Sequence, residues 1–205
     1  MRLGVLALQG DHAAHAKALA RAAESSGCEV EVVLVRRPEQ LAGLAGIALP
    51  GGESTTMLKL LGFEGLDEAL VAFARAGGVV FGTCAGAILL AREVRNPEQA
   101  SLGLLDAVVE RNGYGRQIDS FVAPLETVAE LGPEPLEGVF IRAPRFLELG
   151  AGVEVLASCQ GEPVLVREGS ILAASFHPEL TDDTRAAELF LEAAVAAGRR
   201  ARAAS

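Results

Sequence analysis

A cysteine surrounded by small residues is the strongest chemical signal in this sequence. Cys84 stands at the centre of Gly82-Thr83-Cys84-Ala85-Gly86, between a short apolar run and a stretch of helix-forming residues. A nucleophile on a sharp turn between a strand and a helix needs such spacing, because glycines two residues away let neighbouring backbone approach closely. The start of the following helix also favours a thiolate. We therefore predict that Cys84 is a nucleophile rather than a small cysteine packed in a glycine-rich turn.

A nucleophilic cysteine needs a general base, and His177 is the best candidate. It follows the apolar segment 171–176 and precedes Pro178-Glu179. In an extended chain, residues two apart point the same way. We therefore expect Glu179 to accept a hydrogen bond from one ring nitrogen of His177 and to leave the other for Cys84. The alternative is a charged pair that only caps a strand.

The other histidines and cysteines lack such surroundings. His12 and His15 lie three residues apart on one face of a predicted helix, but no third metal ligand is evident, and we interpret both as solvated. Cys28 lies in a turn and Cys159 near a strand end, and both are expected to be structural. A sparse set of three cysteines is no disulfide framework and favours a reducing, cytoplasmic location.

The segment Leu49-Pro50-Gly51-Gly52-Glu53-Ser54 joins a predicted strand to a predicted helix. Its consecutive glycines allow backbone N–H groups to converge on an anion. Together with the N–H of Ala85, this segment would form an oxyanion hole for an acyl-transfer intermediate. A plain tight turn is the alternative. A phosphate-binding loop is disfavoured because the spacing and lysine of a P-loop are absent.

The elements that position these residues alternate between strand and helix in the first half of the chain, which predicts a parallel sheet covered on both faces. After about residue 104, strand-like runs follow one another. The sequence therefore predicts an α/β fold with a mixed, mostly parallel central sheet, helices on both faces and an antiparallel extension in the C-terminal half. We expect one domain over 1–205, with 199–205 as a frayed tail. The predicted strands are 3–8, 29–35, 47–49, 79–82, 108–109, 139–142, 153–157, 164–167 and 171–176, and the predicted helices are 12–24, 55–61, 66–76, 85–93 and about 182–197, with Asp11 and Ser54 as N-caps.

Composition excludes several classes of function. The chain has 205 residues, 50% of them hydrophobic, which argues against a disordered protein. Its net charge of -9 argues against binding to nucleic acid or to an anionic membrane surface. The longest uncharged run, 76–91, is shorter than the ~18 residues expected of a spanning helix. The sequence therefore predicts a soluble protein without a membrane segment.

Taken together, the elbow cysteine, the late His-x-Glu pair and the early Pro-Gly-Gly resemble the class I, triad-type glutamine amidotransferases. The resemblance narrows to the family of glutaminase subunits of pyridoxal 5'-phosphate synthase, and it spans nearly the whole chain in order. The Glu-Ser-Thr-Thr and Ile-Arg-Ala-Pro stretches are the features specific to that subunit. The matching segments are residues 8–10, 50–56, 81–86, 109–112, 115–117, 140–144 and 175–181.

This resemblance implies a role for each site residue. Cys84 would attack the side-chain amide of L-glutamine, and His177 would act as the general base and then protonate the leaving ammonia. Glu179 would orient His177, and water would hydrolyse the resulting thioester to glutamate. The backbone N–H groups of Gly52 and Ala85 would stabilise the oxyanion. The implied glutamine contacts are Gly52, Glu53, Ser54, Arg111, Ile141 and Arg142.

The resemblance also implies a partner but no cofactor and no metal. Ammonia would pass to a (β/α)8-barrel synthase subunit that builds the ring of pyridoxal 5'-phosphate. The glutaminase is expected to be poorly active until this partner docks and completes the oxyanion hole. The alternatives are a glutaminase subunit of another amidotransferase, a stand-alone cysteine hydrolase of similar fold, and a non-enzymatic subunit. The complete set of Cys84, His177 and Glu179 argues against the last.

Overall fold

The computed structural model describes residues 1–113 and 120–203, so the matching segment 115–117 lies outside the described residues. Twelve strands and five α-helices are found in the described part of the chain. In chain order they are β1 (Arg2–Leu6), α1 (His12–Ser25), β2 (Glu31–Val35), β3 (Gly46–Leu49), α2 (Ser54–Glu64), α3 (Leu66–Arg75), β4 (Val79–Thr83), α4 (Ala85–Leu90), β5 (Ala91–Arg95), β6 (Leu105–Glu110), β7 (Ser120–Thr127), β8 (Leu136–Ile141), β9 (Arg145–Leu149), β10 (Glu154–Cys159), β11 (Glu162–Glu168), β12 (Ile171–Ala174) and α5 (Arg185–Ala203).

Nine of these strands form one mixed sheet in the order β2-β1-β3-β4-β12-β11-β10-β7-β8. The first five strands are parallel to one another, and the pairings from β12 to β8 are antiparallel. The predicted fold class is confirmed, including the antiparallel extension in the C-terminal half. The change from parallel to antiparallel falls at β12, so β12 is the last strand of the continuous parallel run that contains β3 and β4.

Side chains alternate along a strand, so successive residues of the parallel strands pack into the hydrophobic cores on opposite faces of the sheet. Phe81 of β4 packs with residues of α1 and α5, including Phe190. The neighbouring Val80 packs on the other face with residues of α2, α3 and α4. Helices therefore cover both faces of the parallel half, and the apolar runs that predicted buried strands are explained by burial on two sides.

A second, three-stranded sheet of order β5-β6-β9 was not predicted. The predicted helix 85–93 is too long, because the chain leaves α4 at Leu90 and enters β5. A register shift between Ala91 and Glu93 breaks the alternation of β5, so that Ala91 and Val94 are the buried residues. Such a bulge removes the period of two that identifies a strand from sequence.

Two other helix ends differ from the predicted ones. Glu53, not Ser54, is the N-cap of α2, because its carboxylate accepts from the backbone N–H groups of Thr55 and Thr56. The last helix begins at Arg185 rather than near 182 and continues to Ala203, so the tail predicted to fray is helical as far as that residue. The predicted cap of α1 is confirmed, since Asp11 accepts from the N–H of Ala14 over 2.9 Å.

No helix in the part of the chain that the structure describes is long and apolar enough to cross a bilayer.

The contact between β3, β4 and α4 is so close that only glycine fits at two positions. A Cβ on Gly82 would lie 2.6 Å from the carbonyl oxygen of Gly86, and a Cβ on Gly86 would overlap the carbonyl oxygen of Leu49. These are the two glycines that flank Cys84 at a distance of two residues. Their absence of side chains is therefore what lets α4 begin directly above the sheet.

Replacement of Gly86 by alanine is expected to lower the free energy of unfolding by about 1–3 kcal/mol, because the added methyl group must displace backbone. The matched control is Gly198→Ala, where nothing lies within 4 Å of the new Cβ. Within α5 that change should raise stability by about 0.5–1 kcal/mol. Urea denaturation of both variants tests the pair, and equal stabilities would contradict the close-packing explanation.

Candidate active site

Three loops that leave neighbouring parallel strands bring the predicted site residues together. The loop after β3 carries Gly51 and Gly52, β4 ends immediately before Cys84, and β12 ends three residues before His177. Because these strands are parallel and adjacent in the sheet, their carboxyl ends meet at one edge. This edge is the usual ligand-binding position in open α/β sheets.

Cys84 occupies a strained turn between β4 and α4. Its backbone angles are φ 49° and ψ −104°, which a non-glycine residue rarely adopts. The Cys84 N–H donates to the carbonyl oxygen of Ala174 over 2.8 Å, and its own carbonyl oxygen accepts from the N–H of Ile88. The turn predicted for a nucleophile is thus present. The residue is 8% exposed, and its Sγ lies 3.9 Å from the carbonyl oxygen of Ile141.

The His177–Glu179 pair forms as predicted, but for a different geometric reason. Nδ1 of His177 donates to Oε1 of Glu179 over 2.7 Å. The segment is not an extended chain, because Pro178–Leu180 forms a 3-10 helix that begins directly after His177. The turn, rather than the alternation of a strand, brings the two side chains to the same side.

The charges of this pair are set by its surroundings. Burial lowers the pKa of His177, but hydrogen bonds with Cys84 and Glu179 outweigh it and raise that pKa to about 10. Burial raises the pKa of Glu179, but hydrogen bonds from His15 and His177 lower it to about 2. At neutral pH the site therefore contains an imidazolium next to an ionised carboxylate.

His15 lies in the same cluster, which corrects the interpretation of it as a solvated residue. It is 3% exposed, and its Nε2 lies 3.0 Å from Oγ1 of Thr83 and 3.4 Å from Oε1 of Glu179. A signal for its burial was present, because residues 15, 18, 19, 22 and 23 form the apolar stripe of α1. His12, by contrast, is half-buried, and its Nδ1 bonds to the carbonyl oxygen of Gly10.

The glycine loop, Gly51-Gly52, is in direct contact with His177 and Cys84. A Cβ on Gly51 would overlap the ring of His177, and a Cβ on Gly52 would lie 2.5 Å from Oε1 of Gln9. Gly52 also has a φ of 150°, which favours glycine. Oε1 of Gln9 accepts from the N–H of Glu53 over 3.0 Å, so Gln9, which sequence reasoning did not assign, holds this loop. A Cβ on Gly51 would also lie 3.4 Å from Cβ of Cys84, so the glycine loop packs against this side chain as well.

A second group of charged residues lies beyond the glycine loop. Arg111 donates to Oε1 of Glu53 over 3.2 Å. Hydrogen bonds from Thr56 and Thr55 lower the pKa of Glu53 to about 2 despite some desolvation, so this carboxylate is ionised. Arg142 follows β8 with a φ of 45°, a strained conformation that turns the chain at the site. Both signs of charge are therefore present within one loop cluster.

One cleft of about 450 Å³ joins these groups. Its size suits a small molecule. Of the predicted site residues, only Ala85 does not line it, since this first residue of α4 is 1% exposed. The predicted residues that line the cleft are Gly52, Glu53, Ser54, Cys84, Arg111, Ile141, Arg142, His177 and Glu179. The Ser54 hydroxyl already has a partner within the protein, because its Oγ donates to Oε1 of Gln99 over 2.8 Å.

The arrangement is suited to covalent catalysis on a small zwitterion. It combines a cysteine on a strained turn, an imidazole held by a carboxylate, and a glycine loop packed against both, which is the set of groups that nucleophilic catalysis requires. Charged groups of both signs, Glu53, Arg111 and Arg142, also line the cleft and match an ammonium and a carboxylate. Among the described residues, no group of three or more His, Cys, Asp or Glu side chains could hold a metal ion.

Comparisons with known proteins give one consistent family. The model of the SNO glutamine amidotransferase family matches residues 5–196. The pyridoxal 5'-phosphate synthase subunit PdxT of Koribacter versatilis is 54% identical over 192 residues, which cover 94% of this chain and 95% of that protein. The protein of the same name from Pelotomaculum thermopropionicum is 52% identical over 97% of this chain and 98% of its own length.

Solved structures agree with this result. A crystal structure of a glutamine amidotransferase, 49% identical in sequence, superposes with a TM-score of 0.83 over 94% of this chain and 98% of that chain. The structure of PurLQS from Thermotoga maritima gives a TM-score of 0.65 at 16% identity, with coverage of 95% and 97%. The second likeness shows the fold alone.

The charge of Glu179 predicts a pH-dependent stability difference. Its pKa falls from 4.5 to about 2 on folding, so the charged form contributes fully above pH 4.5 and is lost as the pH falls through 2. The unfolding free energy of the wild type should exceed that of Glu179→Gln by up to about 3 kcal/mol near neutral pH. Urea denaturation at decreasing pH should show this difference shrinking. A difference that stays constant would contradict the assignment.

Proposed function

The chain belongs to the SNO glutamine amidotransferase family, and we propose that it hydrolyses L-glutamine and supplies the ammonia to a pyridoxal 5'-phosphate synthase. The proposal rests on the geometry of three side chains, Cys84, His177 and Glu179, which we call the triad. His177 is bonded to Glu179 over 2.7 Å and interacts with Cys84, which stands on a strained turn in a cleft. Relatives about 50% identical over nearly the whole chain support the synthase assignment.

The chemistry proposed for Cys84 is acyl transfer. The thiolate attacks the carbonyl carbon of the glutamine side-chain amide, and the electron pair of the C=O bond moves to the oxygen. Collapse of this intermediate breaks the C–N bond, while the imidazolium of His177 gives its proton to the departing nitrogen. Neutral His177 then takes a proton from water, which attacks the thioester and releases glutamate. Glutamine and water thus give glutamate and ammonia.

Stabilisation of the oxyanion is assigned to the backbone N–H groups of Gly52 and Ala85. The close approach of the glycine loop to His177 and Cys84 supports this assignment. The N–H of Ala85 follows the nucleophile directly, which is the position used in nucleophile elbows. Donors of this kind act on the charge that develops in the transition state and lower the barrier by several kcal/mol.

Recognition of the amino acid is assigned to the charged side chains that line the cleft. Glu53 is ionised and partly exposed there, and it suits the α-ammonium group. Arg111 and Arg142 suit the α-carboxylate. Ser54 and Ile141 complete the proposed contacts, and the carbonyl oxygen of Ile141 lies near the Cys84 sulfur.

The proposed partner is the synthase subunit that consumes the ammonia, with a (β/α)8-barrel fold, in the cytoplasm. Leu180 and Ile141 line the cleft and are 45% and 37% exposed, so apolar surface lies at the site entrance. A partner that covers this entrance would keep ammonia from bulk water. It would also complete the oxyanion hole, so the isolated chain is expected to be poorly active.

Replacement of Cys84 by alanine is expected to abolish glutamate release while leaving binding to the synthase subunit intact, because only the nucleophile is removed. Glutamate release from glutamine, with and without purified synthase subunit, measures the first property, and co-sedimentation measures the second. Activity of the wild type should rise strongly when the synthase subunit is added.

The matched control for this variant is Cys28→Ala. Cys28 is a half-buried free cysteine outside the cleft, and its removal should leave glutamate release unchanged. Full activity of Cys84→Ala would overturn the proposed mechanism. Full activity of the isolated wild type would instead favour a stand-alone hydrolase.

A further inference from the structure

His15 is a buried titratable side chain that the proposed hydrolysis does not use. It lies on α1, does not line the cleft, and contacts two residues from distant parts of the chain. One is Thr83, which immediately precedes Cys84, and the other is Glu179. A single imidazole therefore connects the strand that carries the nucleophile with the carboxylate that orients the base.

The contact with Glu179 determines which atom of His15 carries a hydrogen. The pKa of Glu179 is about 2, so its carboxylate is ionised and its oxygens only accept hydrogen bonds. A ring nitrogen without a hydrogen would be repelled by this carboxylate. Nε2 of His15 therefore carries the N–H, which faces the hydroxyl oxygen of Thr83 at 3.0 Å and Oε1 of Glu179 at 3.4 Å.

Few other contacts hold the carboxylate of Glu179. Oε1 accepts from His177 and faces His15, whereas the buried Oε2 has no hydrogen-bond partner in the part of the chain that the structure describes. Without His15, the carboxylate would be held only by the imidazole that it has to orient. Small displacements in such a site cost large factors in rate.

We propose that His15 is a positioning residue for glutamine hydrolysis. Its Nε2–H holds the Glu179 carboxylate next to Thr83, so that Glu179 keeps His177 aimed at Cys84. The assignment rests on the proposed function, because it concerns the same triad.

Three substitutions of His15 separate positioning from packing. His15→Leu removes the donor and is expected to lower kcat for glutamate release by ~10–100-fold in the complex with the synthase subunit. KM should change by less than about threefold, because His15 does not touch the cleft. His15→Gln should restore most of the activity, since its amide N–H reaches the position of Nε2. His15→Asn is too short to do so and should remain impaired.

A second measurement requires neither glutamine nor the synthase subunit. The rate at which iodoacetamide alkylates Cys84, followed by mass spectrometry, reports how well His177 supports the thiolate. We expect the wild type and His15→Gln to react fastest, and His15→Asn and His15→Leu to react slowly. If this order held while the wild-type complex released no glutamate, the positioning role would stand and the proposed function would fail.

Glu24→Gln is the matched control, because Glu24 is exposed on the same helix, and it should behave as the wild type in both assays. Thermal unfolding of each variant shows whether a loss of kcat follows from a loss of folded protein. If His15→Leu fails to fold, the glutamine and asparagine variants decide the question. Equal kcat and equal alkylation rates in those two variants would overturn the proposal.

Discussion

The hydrogen bond between His177 and Glu179 is the interaction on which the rest of the site depends. The two side chains are 11% and 2% exposed, and burial of an ion pair costs free energy unless both charges are compensated. Here Cys84 interacts with the other side of the imidazole, and His15 lies beside Oε1 of Glu179, the oxygen that also bonds to His177. With both partners in place, the pKa values of about 10 and about 2 keep the pair charged across the physiological range.

The sheet fixes the distance between Cys84 and the His177–Glu179 pair. The sequence contains local signals for most of the elements that produce this arrangement. Thr83 of β4 pairs with Ala174 of β12, so the chain leaves both strands at the same level. Buried strands appear as apolar runs, and the close approach of α4 requires glycine at Gly82 and Gly86. Each of these signals lies within a few residues, which is why the fold class, the elbow and the His-x-Glu pair could be predicted.

The features that sequence reasoning missed depend on contacts between distant segments. His15 meets Thr83 and Glu179 from across the fold, and only its place on the apolar stripe of α1 indicated burial. The predicted helix 85–93 extends into the first residues of β5, because a bulge removes the alternation of that strand. Ser54, the predicted N-cap of α2, is by type a better capping residue than Glu53. Its side chain bonds to Gln99 instead, and this contact between distant segments is not visible in the sequence.

The central claim is that glutamine is hydrolysed through a covalent intermediate on Cys84. The most direct measurement is rapid acid quenching of the complete synthase complex during turnover of glutamine, followed by peptide mass spectrometry. The account predicts the mass increment of one glutamyl group on the peptide that contains Cys84. An increment on the Cys28 or Cys159 peptide, or glutamate release with no increment at Cys84 at any quench time, would contradict it.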